Sequence, residues 1–351
     1  MTTEPSQRTD PPLEHLSPGY FALVMATGIV ATGCAQRGWG TAALAFLGVA
    51  VVAYATLVVL NVARWARHRS AMVADLRNPR TAFQFFTFVA ATDVVGAALA
   101  GHGLWGVTAA LLAVAGSVWA VLGYVIPGIA VLTRQDTSIV GSVNGSWLVW
   151  VVASQSVAVV AATLEPHFAG AREWLAIMAV FSWSVGIMLY AATALVVALR
   201  LALHRMEPHE MDPAYWILMG AVAITVVAGA TIVEMDSAPM VDVVRGLVAG
   251  LAVLMWCFAT WLIPALVGAG VWRHLVHRVP LNYTPSLWSM VFPLGMYAVA
   301  GMRLGRADRL PIVERIGELW IWVALAVWSV TFVAMVVSWA RALRSRRAER
   351  T

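Results

Sequence analysis

The sequence predicts an all-α integral membrane protein of ten transmembrane helices, and three observations carry that prediction. Of its 351 residues, 61% are hydrophobic and only 12% are charged, too little charge to cover a soluble domain of this size. The mean hydropathy is +0.79, so most of the apolar surface must face lipid. At roughly 20 residues per crossing, the apolar runs occupy nearly the whole chain and leave no room for a separate soluble domain. The expected organisation is an N-terminal tail over 1–15, a ten-helix transmembrane domain over 16–340 and a basic tail over 341–351.

Apolar runs between turn and charge clusters place the spans at 16–36, 41–64, 81–101, 104–132, 144–164, 171–203, 213–235, 240–272, 284–304 and 314–340. The odd spans open at Pro18, Pro79, Asn144, Pro213 and Pro285, residue types suited to helix starts. Their lengths lie near the minimum for a crossing. Several even spans are longer, which predicts tilt or protrusion from the membrane.

Arginine sets the orientation, because all 23 basic residues are arginine and no lysine is present. With the N-terminus inside, sixteen arginines fall on the cytoplasmic side and seven outside. Both termini are therefore expected in the cytoplasm of a bacterial-type inner membrane. The last outer loop runs against this trend, with Arg303, Arg306, Arg309 and Arg315. The lack of lysine excludes Schiff-base chemistry, a retinal photoreceptor included. Cys34 and Cys257 stand in separate apolar stretches and read as buried thiols, neither a disulfide framework nor a metal site. The first fifteen residues are polar and lack an apolar core, so no cleavable signal is expected. The pI of 9.7 points to arginines beside anionic lipid rather than to nucleic acid.

The even spans end alike. Span 2 closes with Arg64, His68 and Arg69, span 6 with Arg200, His204 and Arg205, and span 8 with Arg273, His277 and Arg278. Span 10 closes with Arg341, Ser345 and Arg346, and span 4 keeps only Arg134. The first arginines are separated by 70, 66, 73 and 68 residues. An aromatic residue follows each odd start, at Phe21, Phe83, Trp147, Trp216 and Trp288. Either a true repeat or evenly spaced hairpins would give this pattern. Both predict five hairpins in a pseudo-fivefold arrangement around a central pore, with short odd helices inside and long even helices facing lipid. An axial path suggests transport.

The segment from Pro18 through Gly19, Tyr20 and Phe21 to Gly28 resembles the first helix of the tellurite-resistance/dicarboxylate transporter family. The segment Trp288 to Gly295, with Phe292, Pro293, Leu294 and Gly295, resembles its ninth. This family includes fungal malate permeases, bacterial tellurite-resistance channel homologues and plant slow anion channels. The resemblance implies a homotrimer with a pore in each protomer, and a gate at Phe292, the position that matches the phenylalanine blocking the channel members. Pro293 removes the N–H that would bond the carbonyl of Ser289 and can kink a helix that lines a cavity.

Asp93 lies at mid-depth of span 3 with no basic residue at that level. A charged carboxylate there costs about 2.5–3.5 kcal/mol on insertion scales, so it must be protonated or hydrogen-bonded in a wet cavity. It is either a proton-coupling site or a structural hydrogen-bond partner of a hydroxyl or an amide such as Asn144 or Gln155. Asn144 and Gln155, with neighbouring serines, make span 5 unusually polar, as pore lining or as helix–helix contact. Thr27 raises the same alternatives in span 1. Glu234 and Asp236 close span 7 and are expected to pair with Arg245. No cofactor or metal is expected. The expected partners are a small anionic substrate and the lipid bilayer. The function implied is a channel or transporter for small anions: a C4-dicarboxylate, tellurite or a monovalent anion. The alternative is a membrane-embedded enzyme, electron-transfer subunit or receptor without a transport path.

Overall fold

The computed structural model describes residues 13–132, 139–236 and 238–348. Arg8 and Arg134, counted above, and most of the N-terminal tail lie outside the described residues. Ten helices are long and apolar enough to cross a membrane. They are α1 (Pro18–Gln36), α2 (Gly40–Arg67), α3 (Ala82–Ala100), α4 (Trp105–Ile129) and α5 (Gly145–His167). They continue with α6 (Ala169–Leu203), α7 (Pro213–Val233), α8 (Pro239–Val276), α9 (Pro285–Ala307) and α10 (Pro311–Ser345).

Burial divides the ten into two sets. The most apolar window of each odd helix is 67–83% buried within the protein, against 17–22% for each even helix. The odd helices touch one another in the closed order α1, α3, α5, α7, α9 and back to α1. Each even helix packs on its own hairpin partner and also on the next odd helix, so α10 closes the cycle by touching both α9 and α1. Sequence explains the division. The odd helices are short and studded with small residues and hydroxyls, which suit close packing. The even helices carry large exposed apolar side chains such as Leu60, Trp261 and Val330, as lipid contact requires. One close approach is between α9 and α10, where a Cβ on Gly317 would fall 2.5 Å from the amide nitrogen of Met302. Only glycine fits there.

Three features depart from the expectations. Cys257 is exposed on α8, while Cys34 is buried as expected. The loop after α2 contains a short helix, Arg69–Arg77. Arg64 and Arg200, taken as plain topology markers, are buried at 1% and 6% exposure. Arg64 donates to the carbonyl of Glu14 at 2.8 Å and to the Asp75 carboxylate at 2.6 Å. Paired in this way through Nε and Nη2, the guanidinium can be buried at a chain bend, although its Nη1 has no partner among the described residues.

Candidate functional site

Every odd helix begins with a 3₁₀ turn: Pro18–Phe21, Ala82–Phe85, Gly145–Leu148, Pro213–Trp216 and Pro285–Leu287. The residues before them are Ser17, Thr81, Asn144, Asp212 and Thr284, all of the capping type. Three of these caps close on their own turn, with Ser17 accepting from Gly19 N–H, Asn144 from Ser146 N–H and Asp212 from Ala214 N–H. These turns surround a cavity of about 430 Å³, here called the vestibule. Its wall holds Ser17, Gln84, Asn144, Ser146 and Ser286, mostly neutral hydrogen-bonding groups. Helix N-termini favour negative charge by roughly 0.3–1 kcal/mol each at exposed positions.

Titratable side chains stand at the vestibule rim: Arg80, Arg200, His209, Glu210 and Asp212. Glu210 is held 3.2 Å from Arg200. The backbone N–H of Glu207, with Arg200, lowers the Glu210 carboxyl from its ordinary value. Burial pushes Asp212 the other way, above its ordinary value, against the opposing Ala214 N–H, Arg273 charge and Ser286 hydroxyl.

The vestibule narrows to a void of about 10 Å³ bounded by Ala22, Met25, Val152 and Phe292. Thr87, Val149, Ile217 and Ser289 line both spaces and form the neck between them. A single water needs at least about 10–15 Å³, so the void holds one water at most. The Phe292 ring, 1% exposed, is the floor. It stands seven residues into α9, nearer the vestibule than the middle of that helix.

The expected site residues do not all gather there. Asn144 lines the vestibule and donates from its amide to the carbonyl of Arg80 at 3.1 Å. Pro293 turns from the void towards α7, where a Cβ on Gly220 would come within 2.7 Å of its ring. Thr27 accepts from the indole N–H of Trp328 at 3.1 Å and so ties α1 to α10. Gln155 donates to the carbonyl of Trp183 at 3.2 Å, between α5 and α6. Asp93 accepts from a hydroxyl, that of Ser156 at 2.8 Å, and neither Asn144 nor Gln155 is its partner. Its other oxygen is buried without a partner among the described residues. Ser156 lies seven residues beyond Val149 and four beyond Val152, on the helix face that lines the void. The Asp93–Ser156 pair thus sits about one turn past the level of Phe292. Sequence reading overlooked Ser289 and Asp212, although each lies at the start of an odd helix, where the proline-plus-aromatic pattern already pointed.

At the opposite end of the ring, ion pairs join neighbouring hairpins. Arg172 holds Glu165 at 3.1 Å and Asp236 at 2.8 Å, and Arg303 holds Glu234 at 2.9 Å. Arg306 pairs with Glu314 at 2.8 Å, and Arg37 also reaches Glu318. Arg245 pairs with Asp242 and donates to the carbonyls of Val233, Met235 and Asp236. The expected pairing of Arg245 with the Glu234 and Asp236 carboxylates is therefore replaced by partners on other hairpins.

A closed ring of buried helices, open to a polar vestibule at one end, defines a membrane transport protein. The sequence matches the voltage-dependent anion channel family over residues 15–336, and the chain belongs to that family of membrane anion channels and transporters. This bears out the resemblance drawn from α1 and α9. The chain is similar to an uncharacterized membrane protein of Mycobacterium tuberculosis, 60% identical over 148 residues, covering 42% of this chain and 75% of that protein. It is 24% identical to an uncharacterized transporter of Methanocaldococcus jannaschii, with 92% of each chain covered. A protein named as a sulfite efflux pump in Trichophyton rubrum is 23% identical, with 92% of this chain and 91% of that one covered.

Proposed function

We propose that small anions cross the membrane through the centre of each protomer, entering at the vestibule and passing the Phe292 ring, which gates a pseudo-fivefold ring of helices. The observation that carries this reading is the vestibule itself, which tapers through a shared neck onto Phe292 and a void of about 10 Å³. An anion larger than water cannot pass until that ring turns aside. We place the vestibule on the cytoplasmic side of a bacterial-type inner membrane, with both termini inside, on the arginine bias. Homotrimeric assembly is carried over from the family resemblance. Sulfite enters the substrate panel through the name of the fungal relative, beside chloride, nitrate, tellurite and malate.

The test is Phe292→Ala in proteoliposomes loaded with each anion in turn. Truncating the ring should raise flux at least tenfold, about 1.4 kcal/mol off the barrier, while the protein stays folded. A ring that only packs would instead destabilise the protein by roughly 3–5 kcal/mol and give no added flux.

Asp93 is proposed as the coupling group. A titratable group of another helix, Tyr54 of α2, reaches the neighbouring residue, its hydroxyl 2.9 Å from that of Thr92. A neutral Asp93 lets an anion pass and an ionised one repels it, so flux should rise as pH falls. Asp93→Asn should remove most of that dependence. An unchanged pH profile in this variant leaves Asp93 as the structural partner of Ser156.

A further inference from the structure

Hydroxyl groups inside helices usually donate back to the carbonyl four residues earlier. Thr32, Thr163, Ser154 and Thr225 of the odd helices all do so, at 2.7–3.1 Å. Most serine and threonine hydroxyls around the vestibule are engaged as well. Ser17 donates to Gln84 at 2.9 Å, Ser146 to Asn144 at 2.6 Å, and Thr87 lies 2.6 Å from the Gln84 carbonyl and 2.9 Å from that of Pro18. Thr284 and Ser286 pair at 3.0 Å. Ser289 breaks this pattern: among the described residues its side chain has no hydrogen-bond partner. It stands one helical turn before Phe292 and lines both the vestibule and the void beneath. Thr87 is the other hydroxyl of the neck, and its proton is already directed at a carbonyl, while Val149 and Ile217 have no donor to give.

We infer that the neck is a binding site for one singly charged anion, and that the Ser289 hydroxyl is the donor that holds it before Phe292 moves. The inference rests on the proposed axial path, and it names the charge class that path accepts. An ion entering the neck sheds water, and the loss grows with its charge, about twofold for a dianion with two separate carboxylates and about fourfold for one of a monoanion's size. A dianion would need a cation to offset that loss. No guanidinium lines the neck; of the two at the rim, Arg200 is held by Glu210, and Arg80 lines the vestibule and not the neck. A compact monoanion needs only one or a few neutral donors. The site therefore accepts chloride, nitrate or hydrogensulfite and rejects a C4-dicarboxylate in its doubly charged form.

The experiment has two arms, so that failure of the gate and failure of the site can be told apart. The first uses the detergent-solubilised full chain with Phe292 in place. The neck is reached from the vestibule without moving that ring. Nitrate should raise the unfolding temperature over gluconate at equal ionic strength, and Ser289→Ala should weaken the apparent nitrate affinity about tenfold, as loss of one hydrogen bond to a charged group does. Ser289→Thr, which keeps the hydroxyl, should restore it. The second arm measures flux in the Phe292→Ala background, where nitrate should exceed malate at neutral pH by at least tenfold and adding Ser289→Ala should raise the nitrate KM. The site is overturned by a parent protein insensitive to nitrate, by an alanine variant within twofold of the parent, or by a threonine variant as weak as alanine. Malate dianion crossing as fast as nitrate overturns the charge class. A Phe292→Ala protein that passes no anion defeats the gate alone, and the binding arm then decides the site.

Discussion

At the end where the odd helices begin, N–H groups and neutral side chains surround an open vestibule. At the end where they finish, guanidiniums and carboxylates are clasped between hairpins. The sequence assigns sixteen arginines and nine acids to the first side, and seven arginines and eight acids to the second. Of those seven, Arg37, Arg172, Arg245, Arg303, Arg306 and Arg315 each have a carboxylate within 3.1 Å. The same five helices therefore run from a net positive side, where the vestibule leaves room for an ion, to a nearly neutral side drawn shut. An arginine at a helix end can mark topology, fasten a loop or seal a hairpin joint, and its partner shows which.

The contrast can be broken most completely by labelling. In a background without Cys257, single cysteines replacing Arg69 and Ala169 should react with an impermeant thiol reagent from opposite faces. Reaction from the same face would end the assignment of the two mouths to two sides. A smaller effect is expected from Arg172→Ala, which leaves the fully buried Glu165 with only the backbone N–H of Asp236 at 3.2 Å. Breaking a buried pair costs roughly 3–5 kcal/mol, and the 36% exposure of Arg172 sets this case at the lower end. Thermal unfolding would read the loss, and no drop in stability would mean that the sealed mouth is not held by its charges. The smallest effect belongs to the rim. Because burial raises the Asp212 carboxyl, it takes up its proton at a higher pH than a free carboxyl, and the vestibule then loses one negative charge. Anion entry should grow about twofold as pH falls through that protonation, the size expected for a charge some 8 Å away in water. Asp212→Asn should flatten that increment, and high salt should mask it. An increment that survives both treatments arises elsewhere, with Asp93 the first candidate.

The ten helices were legible because a bilayer imposes a length and a polarity that few sequences meet by chance. The inner and outer roles were legible from helix length and from the spacing of Arg64, Arg200 and Arg273. Sequence could not show how buried polar groups choose partners, since that depends on helix rotation. Gln155 faces Trp183 on α6, and Asp93 reaches Ser156, one residue further along α5. Nor did composition separate Ser289 from the other hydroxyls. Its distinction is to stand at the neck without a partner among the described residues, which appears only once every neighbour is placed. The bend at Arg64 and the outward turn of Cys257 were hidden for the same reason.

The closing contact between α10 and α1 bears on how the molecule is made. Trp328 and Thr27 are separated by 301 residues, so the first hairpin must wait in the membrane until the last has been translated. Until then α1 shows lipid a face of small residues and a bare hydroxyl, and α9 lacks the neighbour that Gly317 lets approach. Biosynthesis ends in a clasp: four hairpins can insert in turn, but the barrel they form stays split along one seam. A ribosome stalled before residue 311 would leave such a split barrel, the form a membrane protease should recognise first.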